Sequence, residues 1–407
     1  MIVIPEKKKV LFFIATLAHG GAERLISELS LRLHNCDVVI VISENKVSYR
    51  YKGKLVVLGV SFPQSFFPKV YCYFRRFLKL RSIVVKEKPD YVVSFGAYAN
   101  LLNVFLPSKV ILHTDAYYSG GRFRGTFYGL FLHLFARFFY NRAEKVVPMS
   151  YLAAQDLQEN YGVRKEKIQM IYNALTLRKV EMLSEEPLEK NFEELFSHPV
   201  VITVGRLVKE KGQWHLIKAF KRFKETVPNA KLVILGEGAL KVSLEELAQD
   251  LGIEKDVHFL GWQDNPFSFL ARSSMFVLSS HTEGLPTVLL EALACGVPIV
   301  SADCKSGPRE ILAPATDVQK EAKEIEIGEY GLLVPPLQET FPFSKDAMLS
   351  KNEEIFAEAM ALLYQNTFLR KHLRKKARKR IEDFRMNNIL KYWNSLFGYG
   401  KLEDTKL

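Results

Sequence analysis

From Val200 onward the chain alternates short apolar runs with amphipathic stretches at nearly constant spacing, and this rhythm restricts the fold more than any other feature. Runs at 200–204, 231–235, 257–260, 275–279 and 298–301 read as buried strands, and 213–226, 240–250, 266–273 and 287–295 between them carry apolar residues at helical spacing. Such alternation implies parallel strands with helices on both faces of an α/β sheet. The loops at the strand ends then gather along one edge, which is where ligands bind in such sheets. The first half repeats the rhythm more loosely, with strands expected at 10–16, 37–42, 55–60, 91–96, 110–113, 145–150 and 167–172. Ala22, Leu25, Ile26, Leu29 and Leu33 supply a helical stripe after the first of these. At 407 residues the chain is long for one core and suits two domains.

Cys36, Cys72, Cys295 and Cys304 are scattered without a Cys-x-x-Cys pair, which suggests neither a disulfide framework nor a zinc site and fits a reducing cytoplasm. Lys7, Lys8 and Lys9 before VLFFIATLA imitate a signal peptide, but the apolar run stops at HGG and an amphipathic helix follows, so a buried first strand is expected. No stretch reaches the roughly 18 apolar residues of a membrane span, and the nearest, 126–140, contains His133 and Arg137.

The net charge of +12 calls for an acidic partner: nucleic acid, an anionic lipid surface or a phosphate-rich substrate. Segment 69–88 interleaves Val70, Phe74, Phe77 and Leu78 with Arg75, Arg76, Lys79 and Arg81, a mixture that favours peripheral contact with an anionic membrane. Segment 370–380 puts Leu373 and Ala377 on one stripe, continued by Ile381, and reads as a surface helix with a solvated basic face. The bases lie on two separate helices and no RNA- or DNA-binding motif accompanies them, so no nucleic-acid partner is expected.

The chemistry concentrates in SSHTEGLPTVLLE, residues 279–291. A strand is expected to end there, and a helix to begin with Thr287 as its N-cap and to stop at Gly296 and Pro298. A helix N-terminus favours an anion, while Glu283 before it and Glu291 one turn into it offer carboxylates to hydroxyls. A ligand with both phosphates and hydroxyls, such as a nucleotide sugar, suits that combination. The same stretch also suits an ordinary strand–loop–helix unit. Upstream, Gly205 and Arg206 follow a strand and Lys211–Gly212 open a helix, while Gly236, Gly238 and the Gly261–Trp262 turn fall on the same edge. The SGPREI turn at 306–311 brings Arg309 near that edge with no assigned role.

Taken in order, HGGAER (Gly20, Gly21), HTD (His113, Asp115), the Gly205-Arg206-Leu207 run with Lys211-Gly212, and the pair Glu283 and Glu291 resemble the retaining glycosyltransferases of family 4 over nearly the whole chain. That resemblance implies a GT-B fold of two Rossmann-like, doubly wound domains facing a cleft. Residues 1–175 would bind the acceptor and 176–384 the nucleotide sugar, with 385–407 a helix crossing back to the first domain. Ala174 departs from the family's Asn-Gly at this point. Arg206 and Lys211 would stabilise charge on the departing diphosphate, more in the transition state than in the ground state. Glu283 would hold donor-sugar hydroxyls, Glu291 the ribose, and His113 the sugar near its reacting carbon with Asp115 orienting it or the acceptor. Gly20 and Gly21 would leave room for phosphate and acceptor, and Gly205, Gly236, Gly238, Gly284, Leu285, Pro286 and Thr287 would shape the nucleotide-sugar site. Retention by front-face attack, with the departing phosphate as base, follows from the same likeness.

No Asp-x-Asp pair is placed to hold a metal, so a metal-independent enzyme with no cofactor beyond its substrate is expected. UDP is the expected nucleotide. A lipid-linked or lipopolysaccharide-type glycan at the cytoplasmic membrane face is the expected acceptor, because GGAER and SGPRE look like the corresponding stretches of bacterial enzymes that build such glycans. A nucleotide-sugar epimerase would share the fold, as would a phosphorylase with a lysine for pyridoxal phosphate.

Overall fold

The computed structural model describes residues 7–18, 20–60, 66–120, 125–338 and 348–400, without the side chains of 66–70. His19 of the first glycine-rich loop and Arg122 and Arg124 of the loop after Asp115 lie outside the described residues, as do the side chains of Lys69 and Val70. The chain forms two compact units, passing from the first to the second after Ala174 and returning at Met386.

In the first unit, β1 (Lys8–Ile14), β2 (Cys36–Ile42), β3 (Lys54–Val57), β4 (Tyr91–Phe95), β5 (Lys109–Thr114) and β6 (Lys145–Pro148) form one sheet in the order β3-β2-β1-β4-β5-β6. All five pairings are parallel. The intervening helices are α1 (Gly21–Arg32), α2 (Phe66–Glu87), α3 (Ala97–Asn103), α4 (Phe127–Phe139) and α5 (Tyr151–Glu159). Successive side chains of β1 feed opposite cores, as a strand covered on both faces requires. Leu11 and Phe13 join Val39, Val41, Leu80 and Leu132, whereas Val10 and Phe12 join Ile26, Ile40 and Trp393.

Segment 167–172 forms no strand. Gln169 N and Ile171 N donate to Val146 O and Pro148 O at 3.0 Å each, but Pro148 has no N–H to return the bond, and a single bridge at Ile168 remains. In α2 the outward basic face is narrower than expected. Arg76 is fully buried: its Nε donates to Val60 O at 2.8 Å and its Nη1 to the Tyr98 hydroxyl at 2.5 Å. Phe77 packs on the core, while Phe74, Arg75, Leu78, Lys79 and Arg81 are exposed, with the Lys79 ammonium donating to Leu58 O at 2.7 Å.

The second unit carries β7 (Val200–Val204), β8 (Lys231–Leu235), β9 (Val257–Gly261), β10 (Met275–Leu278), β11 (Ile299–Ala302), β12 (Glu326–Ile327) and β13 (Leu332–Val334). Their order is β12-β13-β11-β10-β7-β8-β9, with only β12 antiparallel to its neighbour. Its helices are α6 (Leu177–Glu185), α7 (Lys190–Phe196), α8 (Gln213–Lys224), α9 (Lys241–Asp250), α10 (Pro266–Arg272), α11 (Thr287–Ala294), α12 (Pro308–Leu312), α13 (Lys351–Gln365) and α14 (Thr367–Ile381). Stretch 313–329, polar and irregular in sequence, is fastened to the sheet. Arg309, itself buried, pairs with Asp303 at 2.5 Å and with Glu326 at 2.7 Å, and Ala322 N donates to Asp303 at 2.7 Å. Along α14 most bases are exposed, but Arg380 is buried and donates to Glu310 O at 2.6 Å and Ile311 O at 3.1 Å.

The final helix, α15 (Met386–Leu396), belongs to the first unit, where its Trp393 is fully buried.

Candidate active site

The turn after β7 is built by glycines that let backbones touch. Gly205 N donates to Leu235 O at 2.9 Å, and Gly236, at φ +129°, would place a Cβ 2.1 Å from Gly205 O. A Cβ on Gly238 would lie 2.3 Å from Leu207 O, so only glycine admits the contact between the β7 and β8 turns. Leu207 is buried and Arg206 beside it is exposed. A short helical turn over Lys209–Lys211 then ends on Gly212 in the left-handed region (φ +56°), which opens α8.

This turn is stitched to the loop after β10. The Ser279 hydroxyl donates to Lys211 O at 2.9 Å and His281 N to Glu210 O at 2.9 Å. The result is a close charged pair: Lys211 Nζ donates to Glu283 Oε1 at 2.6 Å, and the Ser280 hydroxyl donates to the same oxygen at 2.7 Å. Side-chain exposures of 19% for Lys211 and 11% for Glu283 leave the pair sheltered but reachable.

Glu283 is held from behind by a turn whose role the sequence left open. Glu283 N donates to Lys305 O at 3.0 Å, Ser306 N to Glu283 O at 3.1 Å, and the Ser306 hydroxyl to Gly284 O at 2.6 Å. Gly307, at φ +101°, would set a Cβ 2.5 Å from Pro286 Cδ, so the 305–307 turn lies flat against 283–286. Ser306 is therefore a site residue that sequence reasoning missed, and its small-residue run with Gly307 was the available signal.

Other placements differ from expectation. The N-cap of α11 is Pro286 and not Thr287, which is the first helical residue, and no side chain caps the end. Pro286 offers the first N–H groups no side-chain acceptor, although Leu289 N donates to Pro286 O at 2.9 Å. Leu285 is buried and Glu291 is only 4% exposed. The Glu291 carboxylate adds to burial in pushing the Cys295 thiol up to about 12. His281 turns inward, and burial followed by neighbouring His215 lowers it to about 4.

In the first unit Gly20 is extended at the start of α1, and Gly21 is that helix's first residue. A Cβ on Gly20 would meet only the flexible end of Glu23, so no close approach by a ligand is required to explain it. His113 is not presented to solvent: it is fully buried, with its ring 4.8 Å from Phe95 and 6.2 Å from Trp393 between centroids. Neither ring nitrogen has a partner among the described residues, and burial lowers its pKa to about 3. The strand pattern explains this. His113 alternates in step with Ile111 along β5 and so enters the core that contains Trp393.

Two doubly wound sheets, parallel but for β12, with a cation–carboxylate pair at the carboxyl edge of the second, fit the class of the GT-B fold. Residues 19–179 match the model described as Glycosyltransferase Family 4, and residues 185–324 the model described as Glycosyl transferases group 1. An uncharacterized glycosyltransferase of Methanocaldococcus jannaschii is 34% identical over 335 residues, which is 79% of this chain and 82% of that protein. The chain belongs to the family 4 glycosyltransferases. It is also 27% identical, over 93% of its length and 96% of the relative's, to a Campylobacter jejuni N-acetylgalactosamine-N,N'-diacetylbacillosaminyl-diphospho-undecaprenol 4-alpha-N-acetylgalactosaminyltransferase. Among solved structures, Anabaena HepE in complex with UDP and glucose superposes with a TM-score of 0.72 at 17% identity, covering 96% of this chain and 99% of that one.

Proposed function

We propose that this glycosyltransferase is retaining and metal-independent, and that it moves a sugar from a UDP-linked donor to a lipid-linked glycan at the inner face of the membrane. The observation that carries the reading is the Lys211–Glu283 pair, with exposed Arg206 on the same turn. Each charge compensates the other, which avoids leaving an unpaired, largely buried ion. When a nucleotide sugar arrives, Lys211 and Arg206 turn their charge to the diphosphate, and Glu283 accepts from sugar hydroxyls. The bond between the anomeric carbon and the phosphate oxygen breaks, and the bond to the acceptor oxygen forms on the same face. The acceptor's proton passes to the departing phosphate oxygen. Both cations act where negative charge develops, which is the condition for accelerating the step. The N-terminus of α11, which no side chain caps, adds to that charge stabilisation. Glu291 takes the ribose hydroxyls.

Support for the acceptor comes from the Campylobacter relative, whose name gives a diphospho-undecaprenol glycan as substrate. The exposed Arg75 and Arg81 of α2 suit an anionic surface that would present such a substrate. The UDP in the Anabaena structure supports the nucleotide. The test is nucleotide release: UDP should appear only when UDP-sugar and a polyprenyl-diphosphate glycan are both present, and should continue in excess chelator. Release without acceptor, or none with any UDP-sugar, would overturn the reading.

A further inference from the structure

The face of the first unit that carries α4 is apolar where it should be polar. Gly129, Leu132 and Ala136 are buried, as an amphipathic surface helix requires. The opposite face holds Phe127, Leu130, Phe131, Leu134 and Phe138, all exposed, with Phe127 at 84% and Phe138 at 69%. They stand at i, i+3, i+4, i+7 and i+11, so they form one continuous stripe. Single exposed apolar residues need no explanation, but a contiguous stripe of this kind marks a surface that is covered in use.

The covering partner is indicated by charge. Helix α4 contains no Asp or Glu, and its one charged residue, Arg137, is exposed. Helix α2 shares a core with it, since Tyr73 and Phe77 of α2 pack on the cluster that holds Leu132 and Ala136 of α4. Its outward face adds Tyr71, Phe74 and Leu78, with Arg75 and Arg81 exposed among them. The acid of α2, Glu87, is occupied by Lys54 and Lys9. Arg142 lies over the Phe105 ring, which itself packs on Phe135 and Phe139 of α4. A second copy docked symmetrically on this patch would set these arginines against their own images. An anionic bilayer meets both requirements: acyl chains for the stripe and headgroups for the bases.

We propose that α4 is an interfacial membrane anchor, lying in the plane of an anionic leaflet with Phe127, Leu130, Phe131, Leu134 and Phe138 among the upper acyl chains and α2 supplying the basic edge. At 13 residues α4 is about 20 Å long, short of the roughly 30 Å hydrocarbon core, so it lies along the surface and does not cross. The inference deepens the reading of a lipid-linked acceptor, because a transferase held at the leaflet meets an acceptor whose diphosphate sits at headgroup level.

The test uses the full chain and vesicles of phosphatidylglycerol mixed with phosphatidylcholine. The variant Phe127→Ser/Leu130→Ser/Phe138→Ser alters side chains that pack least on the fold, so its melting temperature should match the wild type. Wild-type protein should co-sediment at low and high salt, because apolar insertion is not screened, and the triple variant should bind about 100-fold more weakly at both. An Arg75→Glu/Arg81→Glu variant should lose binding chiefly to the anionic vesicles at low salt. Undiminished binding by the triple variant would overturn the assignment, as would wild-type protein that stays in the supernatant. So would a wild-type dimer that the triple variant converts to monomer with vesicle binding unchanged. Vesicle binding through α4 without transfer to a polyprenyl-linked acceptor would support the anchor and refute the acceptor.

Discussion

Lys211 and Glu283, 72 residues apart, meet at 2.6 Å at the carboxyl edge of the second sheet. Their loops are also joined by the Ser279 hydroxyl on Lys211 O and by His281 N on Glu210 O, so the fold itself fixes the pair. Preorganised charge of this kind is what a departing diphosphate requires.

Replacing Arg206 with Ala should lower kcat about 10²–10³-fold with the melting temperature nearly unchanged, whereas Lys211→Ala should lower kcat similarly and also lower the melting temperature, because sheltered Glu283 loses its partner. Steady-state UDP release on each purified variant checks this. Turnover within a few-fold of wild type would remove that residue from the leaving group.

Chelation should leave turnover intact. If Arg206, Lys211 and the N-terminus of α11 hold the diphosphate as proposed, excess EDTA should not change the rate. Loss of activity restored by Mg²⁺ or Mn²⁺ would show that the diphosphate is held differently.

The arginines of α2 should separate by burial. Arg75→Glu with Arg81→Glu should fold normally and lose low-salt vesicle binding. Arg76→Ala should cost about 3 kcal/mol of stability, because Val60 O and the Tyr98 hydroxyl lose a buried donor. Urea denaturation of the two variants distinguishes the roles.

His113 makes stability depend on pH. Its folded pKa, about 3, is below the ordinary value of 6.5, so the unfolded chain binds the proton more readily. The stability it contributes is complete above about pH 6.5 and is lost as pH falls from there towards about 3. His113→Phe, which keeps a ring beside Phe95 and Trp393, should flatten that part of the curve and keep near-normal turnover at neutral pH. A large fall in kcat with the fold retained would return His113 to the sugar.

Short-range pattern placed most of both sheets, because buried parallel strands are continuous apolar runs and their helices repeat every 3.6 residues, but it offered 167–172 as a strand that does not form and left β12 and β13 unread. The site loops were legible for the same reason: Gly205, Lys211, Glu283 and Gly307 sit at strand or helix ends that local pattern marks. Distant packing decided the remainder. Arg75 and Arg76 are neighbours in sequence, yet one faces solvent and the other reaches Val60 and Tyr98, because Tyr98 arrives from another helix. His113 looked like a residue at the open end of a strand, until Trp393, 280 positions later, closed over it. Ser306 acquired its role only when the turn after β11 came down on Glu283 and Gly284. Periodicity records which residues prefer to leave water. Which partner each finds there depends on contacts between segments far apart in the chain, and those exist only in the folded molecule.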